Sequence, residues 1–151
     1  MKKKIILKES DIVTPEKKRD FNIELFDEVV KSYDRATVIL SFGFDKIWKK
    51  FLVDSLPDLK KGKVLDIACG TGDITILLKK KYPESDISAI DINENMMKIA
   101  KSRLGSVNFI RMDMNSITFN KNTFDIVTGG YALRNAPELK IFLSVLYDIM
   151  K

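Results

Sequence analysis

Apolar and polar positions change rhythm near residue 57 of this 151-residue chain. Before that point the spacing is helical. Over residues 21–56, Ile47, Trp48, Phe51, Leu52 and Leu56 recur as a stripe that predicts one buried helical face. Pro57 ends the pattern, because proline has no N–H with which to continue a helix. From Lys63 onward, short runs of β-formers alternate with helical runs. They predict strands over 63–68, 86–91, 107–112 and 124–128, and helices over about 72–81, 93–104 and 137–150. Asn93 is placed to cap the second of these helices, with Met96, Met97 and Ala100 turned inward at helical spacing. The stretch NSITFNKNT, residues 115–123, is a loop by composition. Strand–helix alternation of this kind builds an α/β fold, a parallel sheet with helices on its faces. The expected organisation is a helical N-terminal segment and cap over 1–56 and an α/β core over 57–151, forming one domain overall.

Composition narrows the function classes. With 45% hydrophobic and 31% charged residues the chain can bury one sizeable core. It has one cysteine, Cys69, and no histidine, so neither an internal disulfide nor a metal site is expected. The opening MKKKIILKES is basic, but its apolar run is too short for a secretory signal, and no run approaches membrane-spanning length. A cytoplasmic protein is expected. The net charge of +5 comes from short lysine clusters, with no basic stripe interleaved with aromatics, which argues against nucleic acid. Attraction to an anionic lipid surface is the weaker expectation.

The candidate chemistry sits in VLDIACGTGDITILL, residues 64–78, where a strand meets a Gly-x-Gly turn and then a helix. Gly70 and Gly72 let the backbone approach a ligand beyond the strand's carboxyl end. A dinucleotide turn needs a third glycine, yet Thr75 stands there, and Asp73 places a carboxylate where phosphate would need a positive helix end. That carboxylate favours a cationic group instead. S-adenosylmethionine carries an ammonium and a sulfonium and no phosphate. Asp91 ends the second strand, where an acid accepts both hydroxyls of a ribose, and Asp113 follows the third strand between Met112 and Met114. Its carboxylate suits an adenine amine while a thioether covers the ring. Together with Asp66 these acids stand at three successive strand ends and outline one adenosine-shaped site.

These motifs resemble the class I S-adenosylmethionine-dependent methyltransferases, and more closely the ubiquinone/menaquinone biosynthesis C-methyltransferase family. VLDIACGTGD looks like the shared first cofactor motif, while YDRATVILSFGFDKIW and NTFDIVTGGYALRN are similar to segments specific to the family. The resemblance implies a Rossmann-like fold with strand order 3-2-1-4-5-7-6. It implies cofactor contacts at Asp66, Ala68, Gly70, Thr71, Gly72, Asp91, Ile92, Met96, Asp113, Met114 and Gly130. It also implies C-methylation of a polyprenylated quinol, with Arg134, Asn135 and Tyr33 as the candidate catalytic residues, and a location peripheral to the inner face of a membrane. A salt bridge from Arg134 to Glu138 is the structural alternative for that arginine. Two other readings stay open: a methyltransferase of different small-molecule specificity, and a cofactor-binding fragment without turnover. The chain departs from the family at Asp45, where a histidine is usual, and stops at Lys151 where relatives continue with further strands. With the C-terminal strands missing, strand 124–128 should lie at an edge. Either a homodimer partner or additional chain is expected to cover it; the alternative is that helix 137–150 folds over the sheet and leaves the edge solvated.

Overall fold

Thr14 is extended and its hydroxyl accepts the Lys17 N–H at 3.3 Å, while Pro15 occupies the first helical position, so a capped helix starts here. A computed structural model describes residues 14–30, 33–136 and 138–151. The segment expected to be helical over 21–56 is three helices: α1 (Pro15–Val29), α2 (Tyr33–Leu40) and α3 (Phe44–Asp54). The start of α1 lies ahead of the expected one, and the Thr-Pro-Glu signature at 14–16 is the signal that marks it.

The expected stripe on α3 is corrected in part. Leu52 and Leu56 pack on the core, but Ile47, Trp48 and Phe51 are 60%, 53% and 71% exposed. What goes inward beside Val53 is Asp45, 1% exposed, with Lys49 bonded to it. The physical reason is charge pairing: Lys49 Nζ lies 2.7 Å from the Asp45 carboxylate, so two polar side chains are buried as a compensated unit and the apolar ones are left outside. At its end, α3 is held by the Lys81 ammonium, which donates to the carbonyls of Val53, Asp54 and Leu56 at 3.0, 3.0 and 2.6 Å.

Beyond Pro57 come β1 (Lys63–Ile67), α4 (Asp73–Lys81), β2 (Asp86–Asp91), α5 (Glu94–Arg103), β3 (Asn108–Arg111), β4 (Ile126–Thr128), the short α6 (Ala132–Asn135) and α7 (Leu139–Ile149). All strand pairs are parallel in the order β3-β2-β1-β4, the arrangement the resemblance implied. Period-two alternation sends Val64 to one face, with Val53, Leu78, Ile87 and Met97, and Leu65 to the other, with Ile90, Phe142 and Ile149. Each fully buried aliphatic side chain contributes about 1.5–3 kcal/mol of burial, which fixes the register of β1 between its neighbours.

Among the described residues β4 is an edge strand. Helix α7 does fold over the sheet through Phe142 and Ile149. Its end then turns alongside β4: Phe124 forms a parallel bridge with Met150, donating to the Ile149 carbonyl and accepting from the Lys151 N–H, both at 3.0 Å. Part of the edge is therefore paired within the chain, ahead of Ile126.

Candidate cofactor and acceptor site

The turn after β1 is made by left-handed backbone. Ala68, Gly70 and Gly72 have φ of 53°, 54° and 89°. Gly72 is required twice over, since a Cβ there would also lie 3.0 Å from the Ala100 Cβ on α5. Across the turn the Asp91 carboxylate is fixed by backbone donors: Gly70 N–H to Oδ2 at 2.7 Å and Asn93 N–H to Oδ1 at 2.8 Å. Each oxygen retains a second lone pair for a ligand hydroxyl. Burial pushes the Asp91 carboxyl above the usual range, opposed by those N–H groups. Asn93 also caps α5, accepting the Met96 N–H at 2.9 Å.

Over this turn opens a cleft of about 820 Å³, the open space at its mouth included. Ala68, Gly70, Asp91, Ile92, Met96, Asp113, Met114 and Gly130, all anticipated, line it together. Tyr33 reaches it from the cap, packed edge-on against Phe26 with ring centroids 5.7 Å apart. Met112, expected beside Asp113, lines it too, and Arg19, Ile23 and Phe26 of α1, with Asn93, Asn115 and Tyr131, line it without having been anticipated. For the α1 residues the signal was the amphipathic helix itself. A smaller chamber of about 370 Å³ adjoins it, where Asp66, Thr71, Lys49 and Asp73 meet Tyr33, Gly130 and Tyr131. Gly72 lines neither space and acts on the backbone and α5 alone. The side chains of Arg134 and Asn135, and with them the Glu138 alternative, lie outside the described residues; their backbone forms α6, directly after Tyr131.

The carboxylates differ in what they already hold. Asp66 is buried beneath the turn and accepts the Thr75 hydroxyl at 2.6 Å and the Thr128 hydroxyl at 3.1 Å. Desolvation pushes it up to about 6, against the pull of those two hydroxyls. Asp113 is bridged by the Arg19 Nε at 3.0 Å and accepts the Asn115 N–H at 2.9 Å, so the cap is tied to the far end of the cleft. Asp73 corrects an expectation. Its cations come from the chain itself, Lys49 at 2.9 Å and Arg103 at 2.7 Å, instead of from a ligand. Burial alone would raise Asp73, but those two cations outweigh it and hold the carboxyl below its usual value. Burial likewise pulls the Lys49 ammonium down, and its bonds to Asp45 and Asp73 reverse the sign, leaving it above the ordinary lysine value.

Asp45 ties α3 to the loop after β4, for the Tyr131 hydroxyl donates to its Oδ1 at 3.0 Å. Desolvation, then the bond to Asp45, raises the Tyr131 phenol above its usual value. The sequence signal for this pair was the departure from the family pattern at Asp45. Cys69, inside the turn, is buried, and desolvation with the nearby Asp66 and Asp91 pushes its thiol well above the ordinary range. Among the described residues no cluster of three metal-ligating side chains exists.

Residues 14–151 match the family model of the ubiE/COQ5 methyltransferase family. The chain belongs to this family. It is 35% identical over 130 residues to the ubiquinone/menaquinone biosynthesis C-methyltransferase UbiE of Desulfotalea psychrophila, covering 85% of this chain and 53% of that protein. It is also 35% identical over 131 residues to the demethylmenaquinone methyltransferase of Staphylococcus aureus, covering 84% of this chain and 54% of that one. The chain thus spans about half the length of the curated ubiE/COQ5 relatives it matches. Among solved structures, phosphoethanolamine N-methyltransferase 1 of Haemonchus contortus, in complex with phosphoethanolamine and S-adenosylhomocysteine, superposes with a TM-score of 0.74 at 19% identity. The match covers 94% of this chain and 31% of that one and shows the shared class I methyltransferase fold.

Proposed function

We propose that this chain binds S-adenosylmethionine and serves C-methylation of a polyprenylated quinol, a demethylmenaquinol or a ubiquinone precursor. The observation that carries the cofactor reading is Asp91, pinned by backbone N–H groups at the base of a cleft whose far end is walled by Met112, Asp113 and Met114. Asp91 takes the ribose hydroxyls, the methionine side chains cover the adenine ring, and Asp66 and Thr71 in the smaller chamber face the cationic amino-acid end. When bound, S-adenosylmethionine supplies an electrophilic methyl group on a sulfonium. The chain's own part is to orient and dry the site: Ile23, Phe26 and Tyr33 exclude water from above, which favours a reaction in which an anion and a cation neutralise each other. Arg134 and Asn135, by resemblance, hold the acceptor's oxygen.

Quinol specificity rests on the family, since both named relatives act in quinone biosynthesis by name. The test is methyl transfer from isotope-labelled S-adenosylmethionine to a demethylmenaquinol, with label recovered on a ring carbon. Label on another small molecule alone would replace the quinol with a different acceptor. A second reading, cofactor binding without turnover by this chain, is favoured by its span of about half the relatives' length. Calorimetric binding with no labelled product would support it. Among the described residues no helix is long and apolar enough to cross a membrane. A peripheral contact is proposed through the exposed Leu40, Phe42 and Phe51 beside Lys46 and Lys50, read by vesicle co-sedimentation. A second copy pairing along Ile126–Thr128 is the remaining partner proposal, read by light scattering.

A further inference from the structure

Tyr131 lines both the main cleft and the smaller chamber, at the junction between the space given above to adenosine and the space given to the amino-acid end. Tyr131 is 39% exposed, while Asp45, whose carboxylate its hydroxyl touches, is 1% exposed. The chain has no histidine. A buried carboxylate reached from the cleft through a phenol is a built route for a proton, and nothing in the cofactor reading uses it.

We propose that Tyr131 and Asp45 form the base of this site: the acceptor's ring hydroxyl gives its proton to the Tyr131 oxygen as Tyr131 passes its own to Asp45 Oδ1. This assignment rests on the methyl-transfer reading above. In the step the acceptor O–H bond breaks and its electron pair stays on the acceptor oxygen. One O–H bond is re-formed on Tyr131 and one is made on Asp45, so the tyrosine is never left as an anion. Once the ring carbon has taken the methyl group, that carbon releases its own proton to water. Asp45 then returns the borrowed proton through Tyr131 to the oxygen, and one proton leaves overall.

The surrounding charges suit this exchange. Asp45 faces Lys49 on its own helix at 2.7 Å and Tyr131 from the loop after β4 at 3.0 Å. Lys49 also meets Asp73 of α4, which Arg103 of α5 holds at 2.7 Å, and Tyr33 of α2 stands near Tyr131 across the smaller chamber. Two carboxylates and two cations balance at rest. A proton on Asp45 leaves the group with one net positive charge, beside the acceptor oxygen that has become negative. Negative charge has moved from Asp45 to the acceptor while Lys49 stays in place, so no uncompensated charge is buried. Lys49 and Asp73 are positioning residues here, and Tyr131 is the member of this group that touches the acceptor.

The test uses the full chain with S-adenosylhomocysteine present and a nitro-substituted naphthol whose anion is coloured. Absorbance across pH gives the fraction of the bound probe that stands as its coloured anion. In the wild type a pH-independent share of anion should persist about two units below the probe's free pKa, because its proton passes to Asp45 and not to solvent. Asp45→Asn keeps an oxygen to accept the Tyr131 hydroxyl but accepts no proton, and Tyr131→Phe removes that hydroxyl and keeps the ring. Both should abolish that low-pH anion share while S-adenosylhomocysteine still binds. Where demethylmenaquinol is methylated, both variants should lose about 100-fold in turnover, and an acceptor with a more acidic hydroxyl should recover most of the loss, which a merely structural role would not allow. A low-pH anion share that is absent from the wild type, or equal in wild type and in either folded variant, overturns the relay, as does a naphthol that does not bind the wild type. A wild type that ionises the naphthol yet methylates no quinol sinks the quinol reading and leaves the relay standing.

Discussion

The adenosine side of the cleft and the cap side are assembled from different materials. On the adenosine side, Asp91 is held by the backbone of Gly70 and Asn93, and the partners lie within one strand–turn–helix–strand unit. On the cap side three ties join side chains from distant segments: Arg19 to Asp113, Lys49 to Asp73, Tyr131 to Asp45 across 86 positions. Backbone ties depend on local conformation, which glycines and strand ends announce. Side-chain ties depend on which helix lands against which loop.

Removing the Asp91 carboxylate should break the contrast most directly. Asp91→Ala is expected to weaken S-adenosylmethionine binding by about 1.5–3 kcal/mol, the worth of charge-assisted bonds to two hydroxyls, while the cap-side ties persist. Titration calorimetry showing unchanged affinity would remove Asp91 from the ribose position. Next comes the turn beneath it. Gly72→Ala combines a left-handed residue with a contact against Ala100, and a stability loss of about 1–2 kcal/mol in urea unfolding is expected.

Acidity sharpens the comparison further. Asp66 holds its proton up to a pH of about 6, and in that neutral form it does not attract a cation. Affinity for S-adenosylmethionine should therefore fall as pH drops through 6, by about tenfold per unit for one linked proton. Asp66→Asn should flatten the profile. The unliganded protein responds the other way. Because the folded pKa is raised above the ordinary carboxyl value of 3.8, the native state binds a proton that the unfolded chain lacks between 3.8 and about 6, and this contribution to stability grows as pH falls through that window. Denaturant midpoints at several pH values check it. The smallest effect is expected at Lys50, whose bond to Asp54 is exposed on α3: Lys50→Ala should change stability by about 0.5 kcal/mol or less and leave ligand affinity alone.

What could be read before the structure follows the same division. The β1 turn, Asp91 at the end of β2 and the Asn93 cap were legible because glycine, strand-end acids and capping residues act on their own neighbours. The inward face of α3 was not. Its stripe of Ile47, Trp48 and Phe51 outweighs two charged residues on any hydropathy count, and only the partners brought by α4 and the β4 loop make Asp45 and Lys49 the buried pair. Asp73 was misread for the same reason, since the charge was visible in the sequence and the two cations facing it were not.

The lone cysteine turns the glycine turn into a clock. Cys69 sits within it, largely buried at the wall of the smaller chamber, with a thiol that yields little thiolate at neutral pH, so alkylating reagents should modify it slowly. The rate of modification therefore meters access to the turn without any engineered label. A ligand that bridges Asp91 and the turn should slow that rate in proportion to its occupancy, giving a count of bound sites in mixtures where neither turnover nor colour can be followed.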